Sequence, residues 1–227
     1  RDKSRDKGRD KGRDKGRDKG RDKGRDKGRD KGRDKGRQIK ISILIYMKRL
    51  SSGEIIFKDH PEFKPNLTPR EIFKLGSFGG TYWRPIYSQV TNKHYKNKHQ
   101  KYPQAWWKGI SNDKMTEPLY DSTVNLYKVK VGSSLEDWED NDWIHAKHPY
   151  GWIQWYCDFY AGNRHADDER QISRWNKIAG PNGRFRRMLI NKIIANHTTY
   201  DNIQISPKIR QTLQHWGYRI NKTDLHH

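Results

Sequence analysis

A mainly helical α+β domain, with four or five helices and a small sheet behind a disordered repeat tail, is the fold class this sequence predicts. Three observations lead there. Residues 1–36 are nine charged tetrads, RDKS once and RDKG eight times, without a single apolar side chain. From position 68 onward, helix-start signals recur, followed by apolar residues at three- and four-residue spacing. The short runs 55–58, 81–87 and 124–131 have the composition or alternation of strands.

The repeat cannot bury enough apolar surface to offset the entropy of ordering, so it reads as a disordered, solvated tail. It holds +9 of the formal net charge of +21, which leaves +12 on residues 37–227. The basic balance therefore belongs to the folded part as well. The first methionine is Met47, so residues 1–46 also read as translated repeat and upstream sequence, and 37–54 as a linker or part of that artefact. One globular domain is expected over 55–220, and a polar tail over 221–227. The apolar run 39–47 includes Lys40 and is too short to span a bilayer, and no small-residue cleavage site follows it. The lone cysteine, Cys157, rules out an internal disulfide framework and fits a reducing compartment. An intracellular protein, nuclear or cytoplasmic, with no membrane partner is the expectation.

Taken in order, Thr68-Pro69-Arg70-Glu71 combines a Thr cap, proline at the first helical position and a glutamate able to reach back to the cap amide. A helix should start there and stop at Gly76. The glycines of Ser77-Phe78-Gly79-Gly80-Thr81-Tyr82-Trp83-Arg84 fit either a tight bend into a packed strand or an amide cradle holding an anion beside Arg84. Residues 91–108 mix Lys, His and aromatic side chains with no acid. Trp106 and Trp107 could stack there on bases or turn inward as core. Asn125 to Val131 alternates like a strand, and 134–142 should be a short helix with a solvated acidic start.

The densest stretch runs from His148 to Ile194. Trp152, Trp155, Tyr156, Phe159 and Tyr160 recur at i, i+3, i+4, i+7 and i+8, which makes one buried helical face. Asp167 or Asp168 can cap the next helix, whose inner side holds Ile172, Trp175, Ile178 and Ala179 and which Gly180 stops. Pro181-Asn182-Gly183 turns the chain into a third helix over 184–196, with Phe185, Leu189 and Ile193 inward. A last helix should follow Ser206-Pro207, and Tyr218 to Ile220 can close a strand.

Between Arg170 and Tyr200 there are seven Arg or Lys and no carboxylate. Arg170, Arg174 and Lys177 share one helical face; Arg184, Arg187 and Asn191 share another. Two helices joined by a glycine-containing turn, the second opening on Arg184, Arg186 and Arg187, have the outline of a helix-turn-helix pair. Arg supplies paired donors for phosphate or guanine. The expected function is a nucleic-acid-binding module for DNA or RNA, with Arg84, Arg170, Arg174, Lys177, Arg184, Arg186, Arg187 and Asn191 as the anion-binding set. Two other classes stay open. One is a metal-dependent enzyme acting on nucleic acid through Asp137, Glu139, Asp158, Asp168 or Glu169; the other is a protein-interaction domain with exposed Trp and Tyr around an Arg face. His145, His148 and Cys157 could supply zinc ligands, but Cys157 sits on the aromatic helix, so a core thiol and neither metal nor cofactor is expected. No Gly-rich nucleotide loop with its Lys, G-x-S-x-G, paired CxxC or HExxH occurs.

The segments SFGGTYWRP, VGSSLEDWE, HPYGWIQWYCDFYAG, DDERQISRWNKIAGPNGRF and ISPKIRQTLQHWGY resemble a protein family found mainly in eukaryotes, among microbes, fungi and some animals. The resemblance covers about residues 60–220 and excludes the repeat and residues 37–55. It implies no activity.

Overall fold

The structure is a computed structural model that describes residues 47–225. The repeat tail and residues 37–46 lie outside the described residues. The α+β, mainly helical class holds: seven α-helices and two two-stranded sheets form among the described residues. Their order is β1 Met47–Arg49, β2 Ile55–Phe57, α1 Pro69–Lys74, β3 Ile86–Ser88, β4 Lys93–Tyr95, α2 Gln104–Trp107, α3 Leu135–Asp140, α4 Trp152–Tyr160, α5 Asp168–Ile178, α6 Arg184–Ala195 and α7 Pro207–His215. None of these helices is long and apolar enough to cross a membrane.

The strands depart from expectation. β1 pairs antiparallel with β2, Met47 opposite Phe57, so the folded unit includes residues ahead of position 55. β3 pairs with β4, Ile86 opposite Tyr95, and of the run 81–87 only its end joins a sheet. Residues 124–131 form no strand, although they alternate. The Asn125 side chain bonds both the N–H and the C=O of Val129, and Lys128 takes a left-handed φ of 51°, so the chain coils instead of extending. Tyr218 to Ile220 form no strand either. There the Asn66 side chain stands in for a neighbouring strand, donating to Arg219 O at 2.7 Å and accepting from Arg219 N at 2.8 Å.

Local signals placed the helices well. Thr68 and Glu71 close a capping box on α1, and Ser134 and Asp137 close another on α3. Asp167 and Ser206 stand at the cap positions of α5 and α7 but make no side-chain capping bond. The four-residue α2 lies within the span read as a basic loop.

The central helix is α4, on which Trp152, Ile153, Gln154, Trp155, Tyr156, Cys157 and Phe159 are all buried. It packs against α1, while α5 packs on α6 and α6 on α7. Phe63 sits where these layers meet. Its ring lies 5.4 Å from Phe57 and Phe159, 5.6 Å from Trp155, 5.7 Å from Tyr156 and 5.1 Å from Trp175, mostly edge to face. Truncating Phe63 to Ala should lower stability by about 3–5 kcal/mol in denaturant titrations. Ile194→Ala, at a position 53% exposed, should stay within about 0.5 kcal/mol; similar losses for the two would remove Phe63 from the centre of the core.

Candidate nucleic-acid interface and an adjoining cleft

The eight residues read as an anion-binding set divide into two groups. Arg186 is buried and pairs with buried Asp224, Nη2 to Oδ1 at 2.6 Å, with its guanidinium 4.3 Å from the Tyr218 ring centroid. It is therefore a core residue, which corrects its place in the anion-binding set. Arg170 pairs bidentately with Asp167, at 2.5 and 2.9 Å. Burial alone would raise the Asp167 carboxyl, but the Arg170 and Gln171 donors outweigh it and hold it below the usual carboxylate value. Arg84 turns back to donate to Thr81 O at 3.1 Å. Arg174 is half-buried, 5.8 Å from the Trp143 ring and 5.5 Å from the Trp216 ring.

Lys177, Arg184, Arg187 and Asn191 are exposed, and none of the three cations forms an ion pair among the described residues. Arg184, Arg187 and Asn191 follow i, i+3, i+7 along α6, so they line one face. Lys177 and Phe185 border the same cleft, which brings the end of α5 beside the start of α6. α6 begins at Gly183 with no side-chain cap, so no cap side chain takes its first-turn amides.

The other sequence-level candidates are engaged structurally. Gly79 and Gly80 form the tight bend: a Cβ on Gly80 would lie 2.2 Å from Asp113 O, and the Gly79 and Thr81 amides bond to Gly76 O and Phe78 O. Trp107 is buried and donates to His99 O, and Trp106 is partly buried and stacks on Tyr102 with ring centroids 5.5 Å apart, so both indoles are engaged with the core. The acidic start of α3 is not wholly solvated, since buried Glu139 accepts from Ser88 Oγ at 2.9 Å and Gln89 N at 3.1 Å. Asp158 meets Lys101 at 2.8 Å and His148 at 3.3 Å; Asp168 accepts from Trp155 Nε1 and His165 N. His145, His148 and His165 pack ring on ring, yet no group of three His, Cys, Asp or Glu among the described residues is placed to hold a metal ion. Cys157 is fully buried, and burial pushes its thiol pKa up, away from nucleophilic use.

Next to Lys177 lies a cleft of about 590 Å³, walled by Phe78, Tyr82, Trp138, Trp143, Trp152 and Trp216, with Arg174 and Lys177 on its α5 side. A second lobe of about 410 Å³ shares Phe78, Tyr82 and Trp138 and is bordered by Arg84 and Lys130. Residues 131–133 and His215 border both lobes. At Gly132, φ is 92°, and the nearest atom to an added Cβ is His215 Nδ1, at 3.9 Å.

The state of His215 follows from its partner. Its Nε2 lies 2.5 Å from Ser77 O, and a carbonyl can only accept, so the proton is on Nε2 and Nδ1 keeps a lone pair. The ring stacks on Phe78 at 4.5 Å. Burial pushes its pKa down to about 4, against the opposing pull of the Ser77 carbonyl, so the imidazole is neutral near pH 7. Sequence reasoning missed this cleft because its walls come from positions 78 to 216. The surplus of tryptophan was the available signal.

Compared with protein-family models, curated proteins and solved structures, the chain has no match.

Two measurements check this geometry. Arg186→Ala leaves Asp224 buried without its cation and should cost about 3–5 kcal/mol, while Arg187→Ala should stay within about 0.5 kcal/mol; equal small losses would contradict the buried pair. For His215, the folded value of about 4 lies below the ordinary 6.5, so the unfolded chain takes up the proton first as pH falls. Its contribution is whole above pH 6.5 and fades between 6.5 and 4, by about 3 kcal/mol in all. His215→Phe should flatten that part of the stability–pH curve, and an unchanged slope would place a different titrating group there.

Proposed function

We propose that this chain is a nucleic-acid-binding module that engages the phosphates of DNA or RNA through Lys177, Arg184 and Arg187, with Asn191 beside them. The observation behind this reading is the contrast within one basic span. Arg170 and Arg186 are neutralised by carboxylates, while Lys177, Arg184 and Arg187 face solvent with no acid partner. Unpaired cations on adjoining helix ends, next to uncapped amides, suit a row of phosphates. Compared with the sequence reading, the contact set loses Arg186 to the core and Arg170 to Asp167, so less of the basic span reaches phosphate than its count suggests.

Salt-dependent binding tests the proposal. With the full chain as background, the double variant Arg184→Ala, Arg187→Ala should weaken binding to a short duplex or single strand about tenfold or more near 0.1 M salt. It should also reduce the slope of log affinity against log salt by about 1.4–1.8. Arg170→Ala, whose charge is already matched by Asp167, should change the slope far less. Equal slopes for the double variant and the unsubstituted chain would overturn the assignment.

A further inference from the structure

We infer that the aromatic cleft receives one nucleotide, its base against the Trp143 side of the aromatic wall with a hydrogen-bonding edge toward His215 Nδ1, and its phosphate held by Arg174 and Lys177. The inference rests on the nucleic-acid reading, because Lys177 belongs to both surfaces.

Four features narrow the ligand. The wall is aromatic: Trp152 and Trp216 pack on each other, with ring centroids 4.8 Å apart, and Trp143 is 43% exposed at the rim. Such surfaces favour a planar ring that stacks. The volume of about 590 Å³ falls in the range of about 300–1,000 Å³ typical of small-ligand sites.

Polar chemistry inside the cleft is sparse and specific. His215 Nδ1 is an acceptor and needs a donor. A hydrocarbon would offer it none. A nucleobase edge carries donors and acceptors together.

Charge decides the rest. Arg174 and Lys177 on one lobe, and Arg84 and Lys130 on the other, oppose a cationic ligand and favour an anionic substituent. Asp137 borders the second lobe, but it is held by its capping bonds to Ser134. A planar base linked to phosphate meets all four conditions. Two sources offer that chemistry: a free nucleotide, and an unpaired base within a strand.

The test uses the full chain, with tryptophan fluorescence and calorimetry as readouts. The probes are the four ribonucleoside monophosphates, ribose 5-phosphate, and one single-stranded oligonucleotide with and without an abasic position. Thr212 borders the cleft on α7, and Thr212→Trp should fill it without disturbing the core; Trp143→Ala, at the exposed rim, is the second variant. If free nucleotides are the source, at least one monophosphate should bind about tenfold or more tighter than ribose 5-phosphate. If a strand is the source, the base-bearing oligonucleotide should exceed its abasic counterpart by a similar factor. In either case Thr212→Trp should erase the difference, and Trp143→Ala should reduce it, with melting temperatures unchanged.

Two results would overturn the inference: no base-dependent difference in either arm, or a difference that survives Thr212→Trp. Strands that bind equally with and without the base, and that lose affinity in the Arg184→Ala, Arg187→Ala variant, would leave the cation row standing and remove the pocket. Monophosphates that bind in the cleft while no strand binds would do the reverse.

Discussion

Ser77 ties the two ends of the domain together. Its carbonyl accepts from Gln211 Nε2 and His215 Nε2, its hydroxyl donates to Ile72 O, and that hydroxyl accepts from Gln214 Nε2. One serine thus joins the end of α1 to three successive contact positions on α7, more than 130 residues away. The consequences reach the surface. The bond to His215 sets which ring nitrogen carries the proton, and the stack on Phe78 makes that ring part of the border shared by both lobes. Buried hydrogen bonds of this kind strengthen one another in a low dielectric and lose their value if one member is removed.

Around that tie the interior is built from rings rather than aliphatic layers. Phe63, Phe57, Trp155, Tyr156, Phe159 and Trp175 meet mostly edge to face, and polar tips are absorbed locally: Trp155 donates to Asp168, Trp175 to Trp216 O, and Tyr156 to Leu67 O. Each such bond lets a large ring be buried without leaving its N–H or O–H unmatched. It also explains why acids near the basic span point inward, since Asp168 serves Trp155 and Asp167 serves Gln171 and Arg170. The cations left without acids are those whose helix positions face away from this interior.

Charge density along a sequence and charge available on a surface are different quantities, and this protein separates them. Arg186 lies one residue from Arg187, yet it is buried on Asp224, 38 positions later, while Arg187 is exposed. Arg210 is buried on the carbonyls of Tyr200 and Ile205. A count over the span from Arg170 to Tyr200 treats Arg186 and Arg187 as equivalent. A helix repeat of 3.6 residues sends neighbours to different faces, and the packing partner of each face decides which charge reaches solvent.

Much of the fold was legible from residues alone, because its causes are local. The caps at Thr68 and Ser134, the aromatic stripe of α4, and the stops near Gly76 and Gly180 act within one or two turns, so spacing and residue type settle them. Alternation misled at 124–131, where one asparagine side chain and one left-handed lysine override it. The open row of Lys177, Arg184 and Arg187 was half visible, as helical faces without partners. Tertiary structure alone decided that Arg186 is core, that the loop indoles 106 and 107 are engaged, and that residues from positions 78 to 216 meet around a neutral imidazole. Local order follows from short-range sterics and hydrogen bonds, whereas a cleft exists only once distant segments have been brought together by burial of their rings.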